Sequence, residues 1–345
     1  MTVTVSAYLD ALRLILAIMV LLSHVSLVGG RLSALSGCGT QAVDGFFVLS
    51  GFVVAHVVSG RERCLRTYAT ARATRILSVS LPAIALTIVA DQIGKSLDPS
   101  LYVGIIQPGQ TGAITRSLVF LNEAWSHRFP GSDSPYWSLG FEVPYYIVFG
   151  LACCLRNRIG WVLAACVMAC VGPQVALMLP VWLMGAASFA MAPMMSRRLG
   201  LFAATIGLLG VLALIVMGHE QPAFMLLREP IAGLGSLITH YIFGASVAIH
   251  LSGLNAATRH LEWTAADWVR RAIARTAGCT FSIYLYHIPL MFLTRAEFGP
   301  QLWLLIGLPL IGSMALAQVT ERRKRWPLQM LALLARQKSF RPATL

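Results

Sequence analysis

Charge is scarce in this chain. Fourteen acidic residues stand among 345, and charged residues of both signs make up 12%, about half the ~25% of a soluble domain. With 57% hydrophobic residues and a mean hydropathy of +0.71, a water-soluble globule is excluded. A disulfide scaffold is excluded too. Of the seven cysteines, Cys153, Cys154, Cys166, Cys170 and Cys279 lie in or beside apolar runs, Cys64 falls in a basic segment, and Cys38 alone is expected to face outward. No phosphate-binding glycine loop occurs. No cluster of His, Cys, Asp or Glu has metal-ligand spacing, so no metal is expected. There is no internal repeat and no polar stretch large enough to form a second domain.

What the chain has instead is apolar length. Runs of about 18 or more residues read as membrane helices, and backbone in lipid must satisfy its own hydrogen bonds, so the fold is expected to be all-α. Ten spans are expected, at about 9–29, 42–59, 76–94, 136 onward, 160–171, 175–194, 200–217, 231–250, around 281–290, and 301–319. The net charge of +13 is distributed unevenly. Arg13 and the segments 60–75, 156–158, 197–198, 251–275 and 321–345 collect 21 of the 27 Lys and Arg, leaving Arg31, Lys95, Arg116, Arg128, Arg228 and Arg295 on the other side. That asymmetry is the positive-inside signature and places both termini in the cytoplasm. It gives no support to a nucleic-acid partner. Residues 1–320 are expected to form the membrane domain and 321–345 a basic cytoplasmic tail. Leu35-Ser36-Gly37-Cys38 resembles a lipoprotein cleavage box, but the apolar run begins before any basic segment, so the N-terminal helix is expected to remain.

Arg13 and His24 are eleven residues apart, which returns to within about 20° of one helix face and separates them by ~16 Å along the axis. With Arg13 at one membrane surface, His24 would stand near mid-bilayer on the same wall, with Ala17 and Val20. An ionisable group at such depth marks a functional site; the competing reading is a His hydrogen-bonded to a neighbouring helix. Asp44, the one acid near the outer mouth, is either within reach of that helix or an N-cap.

Arg72 and Arg75 share a helix face with Tyr68 one turn earlier. Paired guanidiniums suit phosphate oxygens; a topology signal or a lipid contact reads equally well. The outer segment after span 3 carries Asn122, Glu123, Trp125, His127, Asp133, Tyr136 and Trp137, with a short helix expected over 114–124. Aromatics interleaved with amides and acids suit a carbohydrate, while an interfacial belt alone would explain the Trp residues. Glu142 lies about two turns inside span 4 and needs a partner. His240 reads as an interhelical hydrogen bond. Trp263 and Trp268 suggest an amphipathic surface helix. In span 9, Tyr284, Tyr286 and His287 form a polar aromatic patch, and His287 is either catalytic support or a satisfied structural His.

Taken together, Asp10-x-x-Arg13-(ten residues)-His24, Phe46-Phe47-Val48-Leu49-Ser50-Gly51-Phe52, Arg72-x-x-Arg75, Trp137-Ser138-Leu139-x-x-Glu142-x-x-Tyr145, Tyr284-x-Tyr286-His287-x-Pro289 and Glu321 ahead of Pro327 resemble the acyltransferase-3 family of bacterial membrane O-acyltransferases. The resemblance implies a ten-helix bundle in the bacterial inner membrane. It implies an acyl-CoA donor, most simply acetyl-CoA, taken from the cytoplasm, and no tightly bound cofactor. The acceptor would be a hydroxyl of a carbohydrate, glycolipid or glycosylated metabolite. His24 would be the general base, with acylation of His24 itself as the variant. Arg13 and Glu142 would assist, Arg72, Arg75 and Arg13 would hold the donor, and Asp44, Trp137, Tyr145, Tyr286 and His287 would contact the acceptor. Some relatives carry an extracellular esterase-like domain; without one, transfer would go directly to the acceptor. The competing function is a proton-coupled transporter or flippase of a lipid-linked sugar, with His24, Glu142 and His287 as a proton relay.

Overall fold

The computed structural model describes residues 1–30, 32, 37–217, 230–261, 263–264, 266–324, 326–327 and 329. Arg31, Arg228 and most of the basic tail lie outside the described residues, as do Leu35 and Ser36 of the cleavage-box motif. Twelve α-helices follow in order: α1 Val3–Ser23, α2 Gly39–Ser59, α3 Leu65–Leu97, α4 Gln110–Leu118, α5 Leu139–Gly150, α6 Arg158–Val171, α7 Pro173–Met191, α8 Arg197–Met217, α9 Pro230–Thr258, α10 Asp267–Ala277, α11 Thr280–Phe298 and α12 Leu302–Ala317. Among the described residues no strand occurs, as the apolar composition requires. No disulfide forms among the described residues.

Among the described residues eight helical segments are long and apolar enough to cross a membrane, α5 counting once its flanking turns extend it over Ser134–Leu155, or nine if α10 and α11, bent by 47° at their junction, count as one. The difference from the expected ten has two causes. α6 has only 14 residues, and α11 carries Ser282, Tyr284, Tyr286 and His287 in its middle, so its 19 residues read as less apolar than a lipid-facing span. α10 is the amphipathic helix expected near Trp268, which stays 68% exposed.

Two boundaries move the candidate residues. α1 begins at Val3, where the Thr2 hydroxyl accepts from the Val5 amide at 3.3 Å, and not near residue 9. Arg13 therefore sits halfway along α1, paired with Asp10 at 3.1 Å, while His24 is the residue at the helix C-cap. Gly29, at φ 82°, turns the chain back; a side chain there would be strained. At the other boundary, α3 begins at Leu65 and not near residue 76, so its first three turns carry Arg72 and Arg75.

α2 is the central helix, packed against α1, α7 and α9, while α11 packs against α1, α3 and α12. Small residues let α2 and α7 meet backbone to backbone. A Cβ at Gly51 would lie 2.0 Å from the Trp182 carbonyl oxygen, and one at Gly185 would lie 1.9 Å from that of Val48. Asp44 and His240 tie α2 to α9 through a buried 2.6 Å contact between carboxylate and Nδ1. This confirms the interhelical reading of His240, and it occupies Asp44. The apolar core divides in two. One part gathers residues of α1, α2, α3, α5, α7, α9 and α11, the other joins α1 to α11 and α12, and Phe46 packs against both.

Candidate active site

Against the first of these cores lies a cleft of about 70 Å³, lined by residues of α1, α2, α3, α5 and α11. Its polar lining is concentrated: Arg13, Arg72, Arg75, Ser50, Glu142 and Tyr146 all face it. Helical spacing explains the cluster of guanidiniums. Arg72 and Arg75 are one turn apart on α3, and Arg13 comes from the neighbouring α1.

The three arginines differ in their partners. Arg13 is held by Asp10. Arg72 donates one nitrogen to both oxygens of Glu62, each at 3.0 Å, and lies 5.8 and 5.7 Å from the ring centroids of Tyr68 and Tyr146. Arg75 makes no ion pair within 4.0 Å among the described residues; its guanidinium lies 5.9 Å from the Phe281 ring centroid. Lys324 stands by this cluster, and burial together with the positive charge of Arg75 pushes its ammonium down, against the pull of Glu321. Nearby cations that are only partly neutralised make a site for a multiply charged anion.

Glu142 finds its partners on α2 and α5. Its Oε1 accepts from Ser50 Oγ at 2.8 Å and from the Tyr146 hydroxyl one turn on; Trp182 Nε1 in turn donates to Ser50 Oγ at 3.2 Å. Two donors on one oxygen leave Oε2 without a hydrogen bond among the described residues. Glu142 is not hydrogen-bonded to His24. Its place is in the cleft with the arginines, and the sequence reading missed Ser50 and Tyr146 as its holders.

His24 is not part of the cleft lining. Tyr284 marks the end of the cleft on α11, where its ring meets Phe46 edge-on at 5.8 Å. One turn further along α11 stands His287, fully buried, whose Nε2 lies 3.3 Å from His24 Nδ1. The imidazole centroids are 5.2 Å apart. The His24–His287 contact joins residues 263 positions apart in sequence, which no spacing rule could reveal.

Other expected acceptor contacts are occupied by packing. Tyr145 is fully buried and donates to the Val175 carbonyl at 2.7 Å. Tyr286 is buried, with its hydroxyl 3.1 Å from Thr320 Oγ1 and 3.3 Å from the Val79 carbonyl. Asp44 is taken by His240. Trp137 is half-buried edge-on against Phe47 and Phe141. The polar residues of the outer segment also turn inward: Asn122, Glu123, Asp133 and Tyr136 are buried. The short helix there is α4, ending at Leu118, earlier than expected. Glu321 closes the opposite end of α11 by accepting from the Ser282 amide at 2.9 Å and hydroxyl at 3.0 Å.

Glu123 gives this outer platform a pH dependence. Its carboxylate meets His127 Nδ1 at 2.9 and 3.0 Å, yet burial dominates and raises its pKa from 4.5 to about 7. A proton held more tightly in the folded state stabilises that state at low pH. The stabilisation is full below the unfolded value and is lost as pH rises through about 7. Amide exchange of residues 119–133, corrected for intrinsic rates, is expected to quicken between pH 5 and pH 8 in the wild type and to change little in Glu123→Gln. An unchanged pH slope in the variant would assign the effect elsewhere.

A family model described as an acyltransferase domain matches residues 6–322. No curated protein and no solved structure matches the chain.

Proposed function

This chain belongs to the acyltransferase-3 family, and from that premise we propose that it is a membrane O-acyltransferase carrying an acyl group, most simply acetyl, from acyl-CoA to a hydroxyl of a carbohydrate or glycosylated acceptor. The observation that carries this reading is the cleft in which Arg13, Arg72 and Arg75 converge and whose far end lies one helical turn from the His24–His287 pair. The guanidiniums receive the donor's phosphates from the basic end of the bundle, which is cytoplasmic on the positive-inside rule. Both termini then lie in the cytoplasm, with α6 as a short tenth crossing, and the bundle sits in the bacterial inner membrane.

In the chemical step the acceptor oxygen attacks the thioester carbonyl carbon while its proton passes to His24 Nε2, the ring nitrogen with no hydrogen bond among the described residues. A C–O bond forms. Collapse of the adduct breaks the C–S bond, and the leaving sulfur takes the proton from His24, giving the ester and free CoA. A hydroxyl is a poor nucleophile at neutral pH, so this proton transfer is where a positioned His contributes, about 10²–10⁴-fold. Phe46 and Tyr284 meet at the boundary that the thioester must pass. Glu142, fixed by Ser50 and Tyr146, remains a polar contact for a group within the cleft.

The test uses the purified chain in nanodiscs with radiolabelled acetyl-CoA. Saturable donor binding, with hydrolysis or transfer of label to an added glycan, is expected. A folded protein that binds no donor would remove the acyl-CoA reading and bring the transporter forward.

A further inference from the structure

The histidine pair has an internal logic that fixes where its protons lie. A carbonyl oxygen can only accept a hydrogen bond. His287 Nδ1 lies 3.0 Å from the Ile283 carbonyl on its own helix, so Nδ1 carries the hydrogen, and Nε2 of the neutral ring presents a lone pair. His24 Nδ1 lies 2.7 Å from the Val20 carbonyl and faces that lone pair at 3.3 Å. It therefore carries the hydrogen too, shared between two acceptors. The remaining lone pair of His24 is on Nε2.

From this we infer that His287 is the positioning residue of the catalytic base: a neutral imidazole that stands where other catalytic histidines have a carboxylate. This inference rests on His24 being the base. His287 does three things through its lone pair and its burial. It holds His24 in the tautomer with a free Nε2. It restrains the His24 ring where the helix gives way to a turn at Val25. It also accepts a stronger, charge-assisted hydrogen bond when His24 becomes an imidazolium. A second carboxylate here would add a buried charge with its own desolvation cost; a neutral acceptor locked by Ile283 avoids it.

The sequence of α11 suits this arrangement. Nδ1 of His287 satisfies the carbonyl four residues back, one turn earlier on the same face. Ile288 and Met291 beside it are buried, so the ring has little room to turn over. Tyr284, one turn toward the cleft, is anchored through its hydroxyl to the Pro135 carbonyl at 3.1 Å and Ser138 Oγ at 2.9 Å. α11 thus presents the cleft's end wall and the orienting imidazole as one rigid unit.

The experiment compares wild type, His287→Leu, His287→Phe, His287→Gln and His24→Ala for transfer from acetyl-CoA, with folding followed by size exclusion and thermal midpoint. Leu and Phe both remove the acceptor, and Phe keeps a ring at the site should Leu fail to fold. Loss of the acceptor is expected to lower kcat about 10²-fold with donor KM nearly unchanged, because the interaction strengthens only with charge on His24. Gln, whose carbonyl oxygen can reach the position of Nε2, is expected to recover activity to within about tenfold of wild type. Equal loss in Gln, Leu and Phe would make His287 a packing residue and overturn the inference. So would wild-type kcat in Leu or Phe while His24→Ala is inactive. Full activity in His24→Ala would instead remove the base reading itself.

Discussion

Arg75→Ala raises the KM for acyl-CoA about tenfold to a hundredfold and changes kcat far less. Arg75 is the cleft-lining guanidinium that holds no ion pair among the described residues. No carboxylate pairs with it directly; it hydrogen-bonds the Tyr146 side chain, and a phosphate would meet its remaining donors. A charge-assisted hydrogen bond to phosphate contributes about 1.5–3 kcal/mol, and 1.4 kcal/mol is a factor of ten. The contact exists before the reacting bond is touched and persists through the step, so its loss appears as uniform binding, in KM. Arg72→Ala behaves differently. Arg72 neutralises Glu62 and is sandwiched near Tyr68 and Tyr146, so its removal strands a carboxylate and opens a wall. Donor affinity and thermal stability fall together there. Arg75→Lys keeps the charge but not the planar fork and falls between. Titration of each purified variant with acyl-CoA reads the difference, and an unchanged KM in Arg75→Ala would place the donor's phosphates elsewhere.

His24→Ala is expected to reduce acyl transfer about 10²–10⁴-fold, the usual contribution of a positioned general base. Donor affinity is expected to survive, because His24 is not among the residues lining the arginine cleft. The two effects separate cleanly: Arg75 acts on binding, His24 on the step. His24→Asn supplies a neutral side chain that keeps hydrogen-bonding groups near Val20 and His287 yet cannot accept the proton, and it is expected to be as inactive as Ala. Equilibrium binding beside single-turnover transfer measures both quantities on one preparation. A His24→Ala protein within a few-fold of wild type would move the base to another group, of which Glu142 is the carboxylate already lining the cleft.

Much of the helix layout was legible. Apolar length marked the helices, and three-residue spacing put Arg72 and Arg75 on one face. Helix count and helix ends were less so. α6, at 14 residues, is shorter and α11 more polar than an ordinary lipid-facing span, and α1 begins at Val3 and ends at Ser23, which puts Arg13 mid-helix and His24 at the C-cap. Of the residues expected to meet a substrate, Tyr145, Tyr286 and Asp44 proved to be tied up with Val175, with Val79 and Thr320, and with His240. A buried polar side chain announces in sequence that it needs a partner and says nothing of whether that partner is protein or ligand.

The sequence by itself determined what can be decided locally: that the chain is helical and apolar, where its cations collect, and which family it belongs to. Those properties are local, set by a 3.6-residue period and by the cost of polar groups in lipid. The tertiary structure alone decided the pairings: Glu142 with Ser50 and Tyr146, His24 with His287, and Arg72 with Glu62, while no carboxylate pairs with Arg75 among the described residues. Hydrogen bonds and ion pairs between helices act over about 3 Å, and helices far apart in the chain come within that distance only once the whole bundle has packed.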